Sequence, residues 1–144
     1  MRPRRRAPQL QRFLVAAAKA RLLRSAHDCA DGGLAVALAE AVVGGPYAQA
    51  TRGAGMQFAL PAGVSPEGFL YGEDGARAVV SFDPAAVHTV RALAAEHGVP
   101  FAVAGTVTAP NSELRITVGT TSLRWSTAEL RRIYYDAIPR RMAA

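Results

Sequence analysis

Apolar residues recur at helical spacing near the start of the chain, where Leu10, Phe13, Leu14, Ala17, Ala18 and Leu22 fall mostly three or four positions apart. This predicts an amphipathic helix from Pro8 to about Arg21. Pro8 is tolerated near its start because a first-turn amide has no helical partner to lose. The period then changes. Leu22 to Cys29 reads as a short strand running into a loop, Asp31-Gly32-Gly33 as a turn, and Leu34 to Val43 as a helix that is apolar nearly all round and therefore deeply buried. Gly44-Gly45-Pro46 stops that helix. Tyr47 to Gly55 has no clear period and reads as a loop.

The second half alternates in the same way. Met56 to Leu60 has the alternation of a strand, broken by Pro61 to Gly68. Arg77 to Phe82 reads as a strand with Ala78, Val80 and Phe82 on one face and Val79 on the other. Asp83-Pro84 has the chemistry of a helix start, a carboxylate cap followed by proline at the first helical position. Val87, Val90, Ala94 and His97 continue it, and Gly98 is its natural stop. Phe101 to Thr108 reads as a strand, Asn111-Ser112 as a turn, and Leu114 to Val118 as a strand pairing with the one before it in a hairpin. Ser126 and Glu129 have capping-box spacing for a last helix, with Leu130, Ile133, Tyr134, Ala137 and Ile138 on one face and Pro139 at its end. Helices and strands interleave, so the expected fold class is α/β (α+β), a mixed sheet with packed helices. No internal repeat or long linker interrupts the pattern.

At 144 residues, half of them apolar, the chain is sized for one domain with one core, here residues 8–144 behind a basic disordered tail at 1–7. The net charge is +6, and part of it is concentrated in Arg2, Arg4, Arg5 and Arg6. Such a run reads as a solvated terminus or as a phosphate or nucleic-acid patch. No aromatic residue interleaves with it, which argues against nucleic acid. Cys29 is the sole cysteine, so no intrachain disulfide forms, in keeping with a reducing, cytoplasmic setting. No apolar run approaches the ~18 residues of a membrane span. The short apolar stretch Phe13 to Ala18, flanked by Lys19 and Arg21, is no signal-peptide core.

The chemistry is concentrated in Ser25-Ala26-His27-Asp28-Cys29-Ala30-Asp31-Gly32-Gly33-Leu34. Paired glycines between a strand and a helix let the backbone approach another group closely, and the unpaired amides at the helix start suit a phosphate. Asp28 and Asp31 oppose that reading, because carboxylates repel phosphate. Either they turn away and cap the loop, or a cation such as Mg²⁺ bridges them to an anion. The structural alternative has Asp31 satisfying local amides and Asp28 pinning the turn. His27 reads as a general acid or base, or as a hydrogen-bonded packing residue. His88 and His97 show no metal-ligand spacing. Cys29 reads as a core residue, since neighbouring acids work against a thiolate. A second cluster, Tyr71-Gly72-Glu73-Asp74-Gly75-Ala76-Arg77, precedes a strand. Glu73, Asp74 and Arg77 either meet a polar ligand or close the loop through a Glu73–Arg77 or Asp74–Arg77 ion pair.

Ser25-Ala26-His27-Asp28 followed by Asp31-Gly32-Gly33-Leu34-Ala35-Val36-Ala37-Leu38-Ala39-Glu40 resembles the signature of the last domain of phosphoribosylformylglycinamidine synthase synthetase subunits. Leu70 to Asp74, Arg77 to Ser81, His97-Gly98-Val99-Pro100, Ala104-Gly105-Thr106-Val107, Trp125 and Ala137-Ile138-Pro139 are similar to that family in order and spacing. The likeness covers nearly all the chain after the arginine run. It implies a PurM-like C-terminal domain, the α/β sandwich shared with aminoimidazole ribonucleotide synthetase. It also implies a role in purine biosynthesis, where the full ligase uses ATP, Mg²⁺ and a glutamine amide to convert formylglycinamide ribonucleotide to its amidine. ATP activates the formamide oxygen, ammonia displaces phosphate, and a separate glutaminase subunit supplies the ammonia.

In that family the ATP and Mg²⁺ ligands and the catalytic histidine lie largely in preceding domains, so no catalytic residue is assigned here. His27, Asp28, Asp31, Gly32, Gly33, Glu73, Asp74 and Arg77 form the candidate ligand or phosphate loop; a metal ligand is not assigned. Ala30 stands where the family carries serine, and Gly75 where it carries glutamine. The expected partners are the missing N-terminal synthetase domains and the glutaminase subunit, with self-association of an exposed apolar face when the chain is isolated. Met1 followed directly by the arginine run is the pattern of a truncated or split gene product, or of a mis-started reading frame, inactive alone. A free-standing nucleotide- or phosphate-binding module and a basic nucleic-acid-binding protein are the competing readings.

Overall fold

A computed structural model describes residues 6–44, 55–73, 75–109 and 112–142. In chain order these form helix α1 (Arg6–Lys19), strand β1 (Leu23–Asp28), α2 (Gly33–Val43), β2 (Gly55–Ala59), α3 (Pro66–Tyr71) and β3 (Ala78–Phe82). A 3₁₀ turn (Pro84–Ala86) then leads into α4 (Val87–Glu96), followed by β4 (Gly105–Thr108), β5 (Glu113–Val118), β6 (Thr121–Ser126) and α5 (Thr127–Met142). Arg2, Arg4 and Arg5, and most of the stretch read as a loop after Gly44, lie outside the described residues. Contacts gather the chain into two units, one within Met1–Ala37 and Tyr71–Val103, the other within Leu38–Leu70 and Ala104–Ala144. Among the described residues no helix is long and apolar enough to cross a membrane.

In the first unit α1 begins at Arg6, two residues before the expected start. It ends at Lys19, and Arg21 takes a left-handed φ of 55°. The Leu22 amide then returns to the Ala17 carbonyl at 3.0 Å, which closes the helix and turns the chain into β1. The apolar stripe of α1 does what its spacing requires. Phe13 and Ala17 pack with Val90 and Ala94 of α4 in a buried cluster, flanked by Leu10, Leu14, Phe82 and Phe101. Asp83 caps the start of the 3₁₀ turn, its Oδ1 accepting from the Ala85 amide at 2.9 Å. The stop at Gly98 is also as expected, with φ of 66° and the Val99 amide returning to Ala94 at 2.8 Å. Strands β1 and β3 pair antiparallel with Ala26 opposite Val80, and Ser25 bonds Ser81 through their hydroxyls at 2.6 Å.

In the second unit the strand order is β4-β2-β5-β6. The β2–β5 pair is parallel and the other two are antiparallel, so the sheet is mixed as expected. Its register sets Met56 beside Leu114, Phe58 beside Ile116 and Leu114 beside Trp125 on one face, where Leu114 and Ile116 are fully buried. The opposite face carries Gln57, Arg115 and Arg124. Alternation along each strand thus separates core from solvent.

Five expectations are corrected. Leu114 to Val118 does not form a hairpin with the strand before it: β2 lies between β4 and β5, and β5 forms its hairpin with β6. Periodicity identifies a strand but not its neighbour, and the parallel β2–β5 pairing is non-local. The strand read from Phe101 begins only at Gly105. Pro61 to Gly68 is not simply a break, because Ser65-Pro66-Glu67 opens α3, with the Gly68 amide on Ser65 Oγ at 3.4 Å. Pro139 does not end the last helix, which runs on to Met142. Proline removes one backbone donor there, a loss that water makes good on an exposed surface. The long apolar helix is buried only in part, at Leu34, Ala37, Leu38, Val42 and Val43, while Val36 is exposed.

Candidate functional site

The strand-to-helix turn is where the sequence placed it. β1 ends at Asp28, α2 begins at Gly33, and both glycines are left-handed, at φ of 75° for Gly32 and 72° for Gly33. A side chain at Gly32 has no room either: a Cβ there would stand 2.5 Å from Val36 Cγ2. The need for glycine is therefore both conformational and steric. The Gly32 amide points away from the helix toward a carboxylate, as the partial positive charge of a helix start favours.

That carboxylate belongs to Glu73, whose Oε1 accepts from the Gly32 amide at 2.9 Å across 41 positions of sequence. The two clusters read from the sequence are therefore one site. The local reading, Asp31 satisfying the turn's amides, is corrected at this amide, because Glu73 takes it; Asp31 itself is exposed. Arg77 closes its own loop by donating from Nη2 to the Gly72 carbonyl at 2.6 Å. The Cys29 amide donates to the Arg77 carbonyl at 3.1 Å, which ties the end of β1 to the start of β3. Ala76, just before Arg77, sits at φ of 66°, a strained position for a residue with a Cβ. Asp74 lies outside the described residues.

His27 is partly exposed and donates from Nδ1 to the Asp28 carbonyl at 2.7 Å. A carbonyl only accepts, so this bond places a proton on Nδ1. The Asp28 carboxylate is mostly exposed, 3.9 Å from the same nitrogen. Cys29 is buried, as expected of a core residue. Burial pushes its thiol above the usual range; the charge and hydrogen bond of Arg77 offset part of that rise, and Asp28 adds to it. Both the packing and the direction of this shift argue against a nucleophile.

Among the described residues no group of three or more His, Cys, Asp or Glu side chains is placed to hold a metal ion. Mg²⁺-ATP does not fit the glycine turn in this arrangement, because a carboxylate already fills the position a phosphate oxygen would take. Periodicity had no means of finding the Glu73–Gly32 bond. The available signal was chemical: an unpaired amide at a glycine turn and an unassigned carboxylate in a glycine-bracketed loop.

Residues 3–117 match the AIR synthase related protein, C-terminal domain family. The chain belongs to that family. Among curated relatives, a phosphoribosylformylglycinamidine synthase subunit PurL from Parasynechococcus marenigrum is 38% identical over 136 residues, 92% of this chain and 16% of its own length. The same subunit from Thermobifida fusca is 41% identical over 130 residues, 90% of this chain and 16% of its own. The fold matches Thermotoga maritima PurL complexed with ATP at a TM-score of 0.68 and 18% identity, covering 85% of this chain and 21% of that one. The PurLQS structure from Thermotoga maritima gives a TM-score of 0.70 at 17% identity. This AIR synthase related domain thus spans about a sixth of the length of the curated relatives it matches, and its α/β fold is that of the family.

Proposed function

We propose that this domain works as the C-terminal part of a phosphoribosylformylglycinamidine synthase, in the ATP- and glutamine-dependent conversion of formylglycinamide ribonucleotide to formylglycinamidine ribonucleotide in the cytoplasm. The observation that carries this reading is the asymmetry of the match: nine-tenths of this chain aligns with a sixth of a synthetase subunit. The domain, residues 8–144 behind a basic tail, is inactive without the rest of that enzyme. ATP and Mg²⁺ bind elsewhere in the assembly, and a glutaminase subunit supplies the ammonia.

The role of the candidate site within that enzyme is positional. Glu73 holds the glycine turn from the far side, Arg77 holds the Glu73 loop closed, and His27 and Asp28 stand at the rim of the same turn. Together they fix the direction in which α2 leaves β1. A nucleotide module acting alone is disfavoured by the carboxylate at Gly32, which repels the phosphate it would have to bind.

The test is complementation. The Thermobifida fusca relative is shortened by the segment that matches this chain, and amidine formation is measured with and without this protein. Turnover restored by the mixture, and reduced at least tenfold by Gly32→Val, supports the proposal. A mixture no more active than the shortened enzyme sinks it.

A further inference from the structure

A groove runs between α1 and β1 within the first unit. Its α1 wall is Leu14, Val15 and Ala18, neighbours on one side of the helix. Val15 is 53% exposed and points away from Phe13 and Ala17, which face the core. The β1 wall is made of four successive residues, Leu23 to Ala26. Successive strand residues turn to opposite faces, so a groove that touches all four meets the strand along an edge. Among the described residues β1 pairs only with β3, and no residue of β3 borders the groove. The groove therefore follows the edge of β1 that has no strand beside it, where backbone donors and acceptors stand open to another chain. The register with β3 also slips between Leu23 and Ser25, which leaves Arg24 without an opposite residue.

The rim is positive. Arg21 and Arg24 both border the groove and are exposed. Arg21 is set by the helix stop, with its left-handed φ and its amide on the Ala18 carbonyl at 2.9 Å. Lys19, one turn beyond Val15, adds a cation on the same side of α1. No acidic residue precedes Asp28 in the chain. Asp28 stands at the far end of β1, beside His27. Asp83 follows Phe82, the partner of Leu23, and its carboxylate is taken up by the Ala85 amide.

An open strand edge, an aliphatic wall and a positive rim specify an extended peptide with apolar and acidic residues in alternation. Nucleic acid fits less well, because the groove offers no aromatic ring for a base to stack on. A second copy would bring Arg21 and Arg24 against their own counterparts, in a chain already at +6.

We infer that the α1–β1 groove takes up an extended acidic segment of another protein. The segment adds to β1 as a strand, seats apolar side chains on Leu14, Val15 and Ala18, and sets carboxylates against Arg21 and Arg24. This goes beyond the proposed function and does not depend on it, and amidine formation plays no part in its test.

The probe is a synthetic peptide of alternating valine and glutamate with blocked ends, about eight residues long as strands are. Its binding to the full chain is measured by calorimetry. Saturable one-to-one binding is expected, weakening at least tenfold as salt rises from roughly 0.05 to 0.5 M, as screening of opposite charges requires. Arg24→Glu and Val15→Glu should each weaken it at least tenfold. Arg124→Glu, on the exposed sheet face of the second unit, should leave it unchanged. Circular dichroism confirms that each variant is folded. The decisive arm uses the wild-type protein. N-methylating one of the two alternate sets of peptide amides should abolish binding, and methylating the other set should not, because only one set faces β1. Equal binding by both methylated peptides would reduce the contact to charge adsorption and overturn the inference. It is likewise overturned if the peptide does not bind, if an oligothymidylate displaces it, or if the chain dimerises and Val15→Glu dissolves the dimer.

Discussion

Helices α4 and α5 read alike in the sequence and end differently in the structure. Each carries an apolar stripe at helical spacing behind a polar capping residue, Ser126 at the start of α5 and Asp83 at the 3₁₀ turn that leads into α4. In the first unit α4 meets α1, and Val90 and Ala94 are fully buried against Phe13 and Ala17. In the second unit the stripe of α5 meets its own core only in the first turn and is exposed thereafter. An apolar stripe therefore records that a face is covered in some state, but not by what. For α4 the cover is 70 to 80 residues upstream in the same unit; for α5 it is absent from the described residues.

The largest test of this contrast is removal of the cover from α4. Phe13→Ala should cost about 3–5 kcal/mol by urea denaturation, the usual result of emptying a buried aromatic site. A loss as small as that of a surface substitution would mean the α1–α4 core is not what holds the first unit. The turn that starts α2 offers the next largest effect. Gly32→Ala combines a left-handed φ with contact against Val36, and should cost about 1–3 kcal/mol.

The two caps provide a matched pair. Asp83→Ala removes the acceptor of the Ala85 amide, and Ser126→Ala that of the Glu129 amide. Each should cost about 1 kcal/mol, since capping acts locally and does not depend on whether the stripe behind it is covered. Cys29 gives a pH test of burial in the first unit. Its thiol pKa is raised on folding from a usual value of 9.0, so the folded state favours the protonated form. That contribution is complete below pH 9 and is lost as pH rises through the folded value. Cys29→Ala should flatten this alkaline loss of stability, and native Cys29 should alkylate far more slowly than the unfolded chain. The smallest effect belongs to α5. Ile138→Ser should change stability by less than about 0.5 kcal/mol, as exposed positions do. A cost of several kcal/mol would show that the stripe is covered within the chain.

Much of the architecture was legible from local chemistry. The Pro8 helix, the strand before Cys29, the Gly32-Gly33 bend, the Asp83-Pro84 start and the Gly98 stop all depend on a few adjacent residues, and all appear in the structure. The α3 start is equally local, at Ser65-Pro66-Glu67, but the surrounding Pro and Gly read as a break and mask it. Strand order was not legible. Leu114 to Val118 has the alternation of a strand next to any partner, and only the packed sheet sets it against β2 in parallel. The site divided the same way: its residue types stood in two clusters, while the bond that joins them spans 41 positions.

The order of residues by itself determined most of the helices and strands, though not every start, as well as which faces are apolar and that glycine must stand at position 32, because these follow from backbone sterics and side-chain period over a few neighbours. Only the tertiary structure decided that Glu73 takes the Gly32 amide, that β2 separates β4 from β5, and that α5 leaves its apolar stripe exposed. Those outcomes depend on which distant segments compete for the same amide, the same strand edge or the same core, and no local pattern carries that information.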